Sequence, residues 1–186
     1  MKLHLACGDV YLKGYINIDI DGFDLYDVVE EYKIGNFNET TLDNYFKFPF
    51  GFPKRNIIVD KFMNLTRTWD ILDNSVEEIV MISAIEHFTK NEAIFIMSEI
   101  KRVLEPNGKL ILDFPDIMED VELYQDNPEF LMTLIYCNQK NENSIHKWGY
   151  NRSSIKTLLG EGWKSIEFKR VVKHDYPMIP IVAIKE

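Results

Sequence analysis

Short apolar runs that stop at turn residues alternate along this chain with helix-forming stretches, and that alternation leaves few architectures open. Residues 3–6 form one run, ended by Cys7-Gly8-Asp9, and residues 15–20 form another, ended by Asp19-Ile20-Asp21. Residues 56–62 and 76–83 follow, the second with Glu77 and Glu78 near its entry, and residues 109–114 run into Pro115-Asp116. Between these runs, Thr89 and Glu92 make a capping box for a helix carrying Ile94, Met97, Ile100, Lys101 and Leu104, which Pro106-Asn107-Gly108 ends. Residues 119–140 read as helix with a reset at Pro128, and residues 152–160 as a short helix between Asn151 and Gly160. Residues 22–56 lack clean periodicity and read as part helix, part loop. Strands alternating with helices imply βαβ units and a mostly parallel sheet covered on both faces. The last two strands, 165–172 and 179–185, have no helix between them and are expected to pair as an antiparallel hairpin at one edge.

The expected fold is therefore α/β, a single Rossmann-like, doubly wound sheet with that C-terminal hairpin, spanning residues 1–186 as one domain. Neither a repeat nor a Pro/Gly/Ser-rich linker divides the chain, and 46% hydrophobic residues supply a core. Nothing in the sequence approaches the apolar length of a membrane span, and the first residues read as a strand and a glycine turn, not a signal peptide, so a cytoplasmic location is expected. A net charge of −9 repels polyanions and argues against nucleic acid as a partner. Cys7 and Cys137 have neither zinc-site nor disulfide spacing, so they read as ordinary thiols and no metal is expected.

In an open α/β sheet, ligands bind beyond the carboxyl ends of strands where strand order reverses. That rule points to Cys7-Gly8-Asp9, Asp19-Ile20, Asn64-Leu65, residues 83–88 and Pro115-Asp116. Gly8 lets the backbone approach a ligand, and Asp19 can accept two ribose hydroxyls. An ordinary turn glycine and a solvated strand-end carboxylate are the plain alternatives. Tyr11 can cover a cationic centre through its ring or pack into the core.

These positions sit within an ordered series: Lys2-Leu3-His4-Leu5-Ala6-Cys7-Gly8, then Gly14-Tyr15-Ile16-Asn17-Ile18-Asp19, then Leu72-Asp73-Asn74-Ser75-Val76 leading to Ser83-Ala84-Ile85-Glu86-His87-Phe88, and Arg102-Val103-Leu104-Glu105-Pro106-Asn107-Gly108-Lys109-Leu110. The series resembles the class I S-adenosylmethionine-dependent methyltransferases, in particular the small type-11-like enzymes. The resemblance implies S-adenosylmethionine as cofactor and a site of Ala6, Cys7, Gly8, Tyr11, Asp19, Ile20, Asn64, Leu65, Ser83 and Ala84. It assigns adenine recognition to Asn64, with Asp60 as the competitor, and places residues 146–150 over the acceptor pocket, with His146 and Tyr150 as substrate contacts. Asp116 either meets the acceptor or caps the next helix.

The first motif departs from the family pattern. Its fullest form has an acidic residue and three alternating glycines, where this chain has His4, Ala6, Gly8 and Val10. Asp9 is a candidate to replace the missing acid. Methyl transfer from a sulfonium needs alignment and exclusion of water, and a base only where the acceptor must lose a proton. His87 has the pKa range for that base, whereas Glu86 reads as a local structural residue. Residues 22–56, residues 119–150 or a homodimer partner are the candidates for a lid. The expected function is methylation of a small-molecule or sugar-containing acceptor. The alternatives are a degenerate fold that binds cofactor or a protein partner without turnover, and a nicotinamide-dependent oxidoreductase. The latter needs Gly-x-Gly-x-x-Gly where Ala6-Cys7-Gly8-Asp9-Val10-Tyr11 stands.

Overall fold

The computed structural model describes residues 1–25, 38–45, 56–169, 172–173 and 177–186. Seven strands make the main sheet: β1 (Lys2–Leu5), β3 (Ile16–Asp19), β7 (Lys61–Phe62), β8 (Val76–Ile82), β9 (Leu104–Asp113), β10 (Trp163–Phe168) and β13 (Ile181–Lys185). Their order is β10-β13-β9-β8-β1-β3-β7. From β9 to β7 every pairing is parallel. The small strands β2 (Val10–Leu12), β4 (Phe23–Asp24), β5 (Asn38–Thr40), β6 (Ile58–Val59), β11 (Val172–Lys173) and β12 (Pro177–Met178) form two-stranded pairs outside it.

The two C-terminal strands pair antiparallel at one edge of the sheet, as expected. β13 inserts between β9 and β10 and is antiparallel to both, so β10 takes the edge and runs with the parallel set. The expected run over residues 56–62 is split into β6 and β7, because Asp60 turns its carboxylate back to the Asn17 amide at 2.8 Å.

Burial on both faces explains the unbroken apolar runs. Along β8, Ile79 and Met81 join the larger core cluster, while Val80 and Ile82 join a second cluster with Leu12 and Ile111. Successive strand residues point to opposite faces, so the two clusters lie on opposite sides of the sheet. After the short helix α1 (Leu42–Tyr45), the long helix α2 (Lys90–Val103) lies on the larger side and buries Ala93, Ile96, Met97, Ile100 and Val103. Ile94, expected on that face, is 52% exposed. The Thr89–Glu92 capping box is formed, with Thr89 Oγ1 accepting the Glu92 amide and the Glu92 carboxylate accepting the Thr89 amide.

The anticipated helix over residues 119–140 is two helices, α3 (Ile117–Tyr124) and α4 (Pro128–Tyr136), because Asn127 caps a new start with Pro128 in its first turn. Asn151 and Gly160 bound α5 (Arg152–Leu159), which packs on α2. Among the described residues no helix is long and apolar enough to cross a membrane. Most of residues 22–56, one of the two expected lid segments, lies outside the described residues.

Candidate functional site

The chain leaves β1 for β3 on one side and returns to β8 on the other, so the strand order reverses between β1 and β8. A cleft of about 400 Å³ opens there, beyond the carboxyl ends of β1, β3 and β8. Its floor is made by residues in the left-handed region: Ala6 at φ +47°, Gly8 at φ +53° and Ser83 at φ +48°. A Cβ built on Gly8 would meet no atom within 4 Å, so the space above it is open. Asp19 holds this floor together. Its Oδ2 accepts the Gly8 amide at 2.9 Å and its Oδ1 accepts the Ile20 amide at 2.7 Å, and the side chain still lines the cleft.

Eight of the ten expected cofactor residues line this cleft, namely Ala6, Gly8, Asp19, Ile20, Asn64, Leu65, Ser83 and Ala84, together with His87. Cys7 and Tyr11 do not line it. Cys7 is buried, its Sγ lies 3.9 Å from the Ile58 carbonyl, and burial pushes its thiol well above the ordinary range. Tyr11 donates its hydroxyl to Asp60 at 2.7 Å, which ties both residues into the strand layer. Asn64 lines the cleft and Asp60 does not. His4, where the family pattern has an acid, is fully buried with Nδ1 2.9 Å from Asn17 Oδ1, and burial lowers its pKa to about 4.

The expected substrate contacts sit behind the cleft wall. Asp116 is the N-cap of α3, accepting the Met118 amide at 2.9 Å and the Glu119 amide at 3.3 Å, and it also accepts the Arg152 amide at 3.2 Å. Tyr150 is buried, bridges to Asp116 and packs edge-to-face on Phe114. His146 lines a separate small cavity with Glu86 and Asp120. In their place, Lys147 and the turn carrying Asn141, Asn143 and Ser144 reach the cleft, as do Phe88 and Glu92 from the start of α2. Lys147 belongs to the 146–150 segment that the resemblance places over the acceptor pocket. The turn carried no signal beyond its Asn-rich composition. Segment 119–150 thus contributes to the rim through residues 141–147.

No protein-family model matches the chain, and no curated protein matches it in sequence. Solved structures do match in fold. A SAM-dependent methyltransferase from Methanosarcina mazei superposes with a TM-score of 0.57 at 14% identity, covering 99% of this chain and 91% of that one. A SAM-dependent methyltransferase from Aquifex aeolicus gives 0.52 at 14% identity, over 100% of this chain and 81% of the other. The magnesium protoporphyrin IX methyltransferase of Synechocystis, solved with bound SAH, gives 0.54 at 11% identity, over 100% and 74%. The chain has the class I methyltransferase fold. At these identities the likeness establishes architecture and leaves chemistry to the site.

The site's titratable groups lie at the junction of the cleft and the small cavity. A 3₁₀ turn, Ile85–His87, follows β8 and turns Glu86 inward and His87 to the cleft. Burial lowers the His87 pKa to about 4, with His146 adding to the effect, so the ring is neutral near pH 7 and holds a lone pair but is a weaker base than the near-neutral range expected from the sequence. Burial lowers the His146 pKa as well. Glu86 is 2% exposed, and burial raises its carboxyl to about 8. Its backbone carbonyl accepts the Lys147 amide at 2.8 Å and the Trp148 amide at 3.2 Å, which fixes the 146–148 segment to the cleft wall. His87, Cys137 and His146, which have no metal-site spacing along the chain, converge here, one ligand atom from each lying within 4.8 Å of the others.

Proposed function

We propose that this chain binds S-adenosylmethionine in the cleft and transfers its methyl group to a small-molecule or sugar-containing acceptor. The observation that carries the reading is the convergence of Gly8, Asp19, Asn64 and Ser83, from four separated parts of the chain, on one cleft at the point of strand reversal. Its size is within the range of small-molecule sites. The open space above Gly8 takes the amino-acid part of the cofactor. Asp19 accepts three backbone amides, Gly8 at Oδ2 and Ile20 and Asp21 at Oδ1, so Oδ2 keeps a lone pair with which it accepts a ribose hydroxyl. Asn64 and Leu65 meet the adenine, while Ser83 and Ala84 run beside the ribose.

The cofactor supplies a methyl group on a sulfonium, which the acceptor's nucleophilic atom displaces in line. The protein's part is to align the two and keep water out. His87 faces the cleft as a neutral imidazole and accepts a proton where the acceptor is a hydroxyl. The acidic chain favours neutral or cationic acceptors over polyanions. A binding-only role is the second reading, supported by His4 and Ala6 at positions where the family has an acid and a glycine.

Thermal unfolding with S-adenosylmethionine, S-adenosylhomocysteine and NAD in separate samples tests the reading. Ligand at a hundred times its dissociation constant adds about 2.7 kcal/mol, or roughly 5–10 °C for a chain of this size. A rise with both sulfur compounds and none with NAD is expected. No rise with either, or a rise with NAD alone, overturns it. Release of S-adenosylhomocysteine on adding acceptor pools separates turnover from binding alone.

A further inference from the structure

We infer that His87, Cys137 and His146 form a binding site for a single transition-metal ion of the zinc class, set in the wall of the cleft. The three residues come from distant parts of the chain, yet one ligand atom of each lies within 4.8 Å of the others. The two rings stand edge-to-face with centroids 4.8 Å apart.

The tautomers favour ligation. His87 Nδ1 lies 3.2 Å from the Ile145 carbonyl and His146 Nδ1 lies 2.8 Å from the Leu134 carbonyl. A carbonyl only accepts, so each Nδ1 carries the proton and each Nε2 carries the lone pair. Metal-binding histidines are usually oriented in this way, by giving their other N–H to a backbone carbonyl or carboxylate. Cys137 ends α4 at φ +58°, a position that favours glycine, so the backbone accepts strain to place a thiol there.

Glu86 is an independent pointer. It is 2% exposed, its Oε2 has no hydrogen-bond partner among the described residues, and its Oε1 lies 4.0 Å from His146 Nε2. A thiolate and two imidazoles are donors of a zinc-class ion, and the Glu86 carboxylate beside His146 adds negative charge next to them. Tetrahedral geometry at zinc bond lengths of about 2.0–2.3 Å needs ligand atoms roughly 3.5 Å apart, so binding draws the cluster together by about 1 Å. Because His87 also lines the cleft, the ion adjoins the space assigned to the acceptor. When the ion is bound, the His87 lone pair is a ligand and not a base. The inference needs only the cluster and stands apart from the methyl-transfer reading.

The test is cobalt(II) titration of the full chain after treatment with chelator and reductant, followed by zinc competition. One equivalent of cobalt should give a thiolate-to-metal charge-transfer band, and zinc should abolish it. Cys137→Ser should lose the band, His146→Ala should weaken binding by at least about a hundredfold, beyond the loss seen for outer-shell partners, and Cys7→Ser should bind as wild type does. In the unmutated protein, zinc should protect Cys137 from alkylation as read by mass spectrometry, which covers the case in which Cys137→Ser fails to fold. Absence of the band, its survival in folded Cys137→Ser, or equal Cys137 labelling with and without zinc overturns the inference. Calorimetry with S-adenosylmethionine on the same samples keeps the readings separate: failure of metal binding alone removes this site, and failure of cofactor binding alone removes the methyl-transfer reading.

Discussion

Replacing Asp113 by Asn should stabilise the protein at alkaline pH and do little in acid. Asp113 ends β9 with no solvent exposure, and the Ser83 amide and hydroxyl that face its carboxylate offset only part of the cost of burial, neither completing a full hydrogen bond. Burial lifts its pKa from an ordinary 3.8 to about 7. A carboxyl raised on folding binds its proton more tightly in the native state, so stability falls as pH rises from about 4 to about 7 and is level above that. At 1.36 kcal/mol per pH unit, the rise corresponds to about 4 kcal/mol by pH 8. Local relaxation and water entry raise the effective dielectric constant, so the expected effect is about 2–4 kcal/mol. Asn has nearly the same shape and no charge to desolvate, and it escapes this penalty. For a chain of this length each kcal/mol moves Tm by roughly 2–4 °C, so Asp113→Asn should melt about 5–15 °C above wild type at pH 8. The advantage should shrink sharply by pH 4.5. Calorimetric melting of both proteins across that range is the assay. An advantage that does not change with pH, or one larger in acid, refutes the reasoning.

Three further outcomes follow from other parts of the fold. Asp19→Asn loses one charged acceptor at Gly8 and at the ribose position, so calorimetry should show S-adenosylmethionine affinity falling by about 10- to 100-fold, equivalent to roughly 1.5–3 kcal/mol; unchanged affinity removes Asp19 from the site. Ala6→Gly relieves a residue held at φ +47° and adds unfolded-state entropy, leaving a net gain of about 0.5 kcal/mol in denaturant melts; a loss above about 1 kcal/mol would show that the alanine methyl packs usefully. Thr89→Ala removes the capping box of α2 and should cost about 1 kcal/mol, read as a Tm drop of roughly 2–4 °C.

Local chemistry made most of the fold legible. Thr89 with Glu92 announces the start of α2, Asn151 and Gly160 bracket α5, and doubly buried strands betray themselves as unbroken apolar runs. The insertion of β13 between β9 and β10 was not legible, because it depends on which sheet edge is open once β9 is laid down. The cleft was legible wherever a strand end supplied the residue, as for Gly8, Asp19, Asn64 and Ser83. It was illegible where side-chain direction decides. Cys7 and Gly8 are neighbours, yet one points into the core and the other opens on the cleft. His146 and Lys147 divide in the same way, inward and outward. Asp116 carried its own answer, since Asp116 with Glu119 three residues on is a helix-start pattern and the structure uses it as one. The His87, Cys137 and His146 cluster has no spacing to read because tertiary packing alone assembles it.

The adjacent strands β1 and β8 both finish in a non-glycine residue at positive φ, Ala6 and Ser83, and both residues line the cleft. Each such residue costs on the order of 1 kcal/mol, and the surrounding packing must hold it. For Ala6 the anchor is visible: Asp19 binds the Gly8 amide, and Cys7 donates its own amide to the Ile18 carbonyl at 3.1 Å. Two neighbouring strands turned away from each other in this manner open the crevice between them, and Gly8 then leaves its floor bare. Strain placed at the point of strand reversal is what a ligand-binding crevice requires, whereas a sheet selected for stability alone would carry glycine at both positions. Ala6 stands where the resembling pattern has its first glycine, and at φ +47° it follows the backbone path a glycine would take there, so it is the backbone path that shapes the cleft.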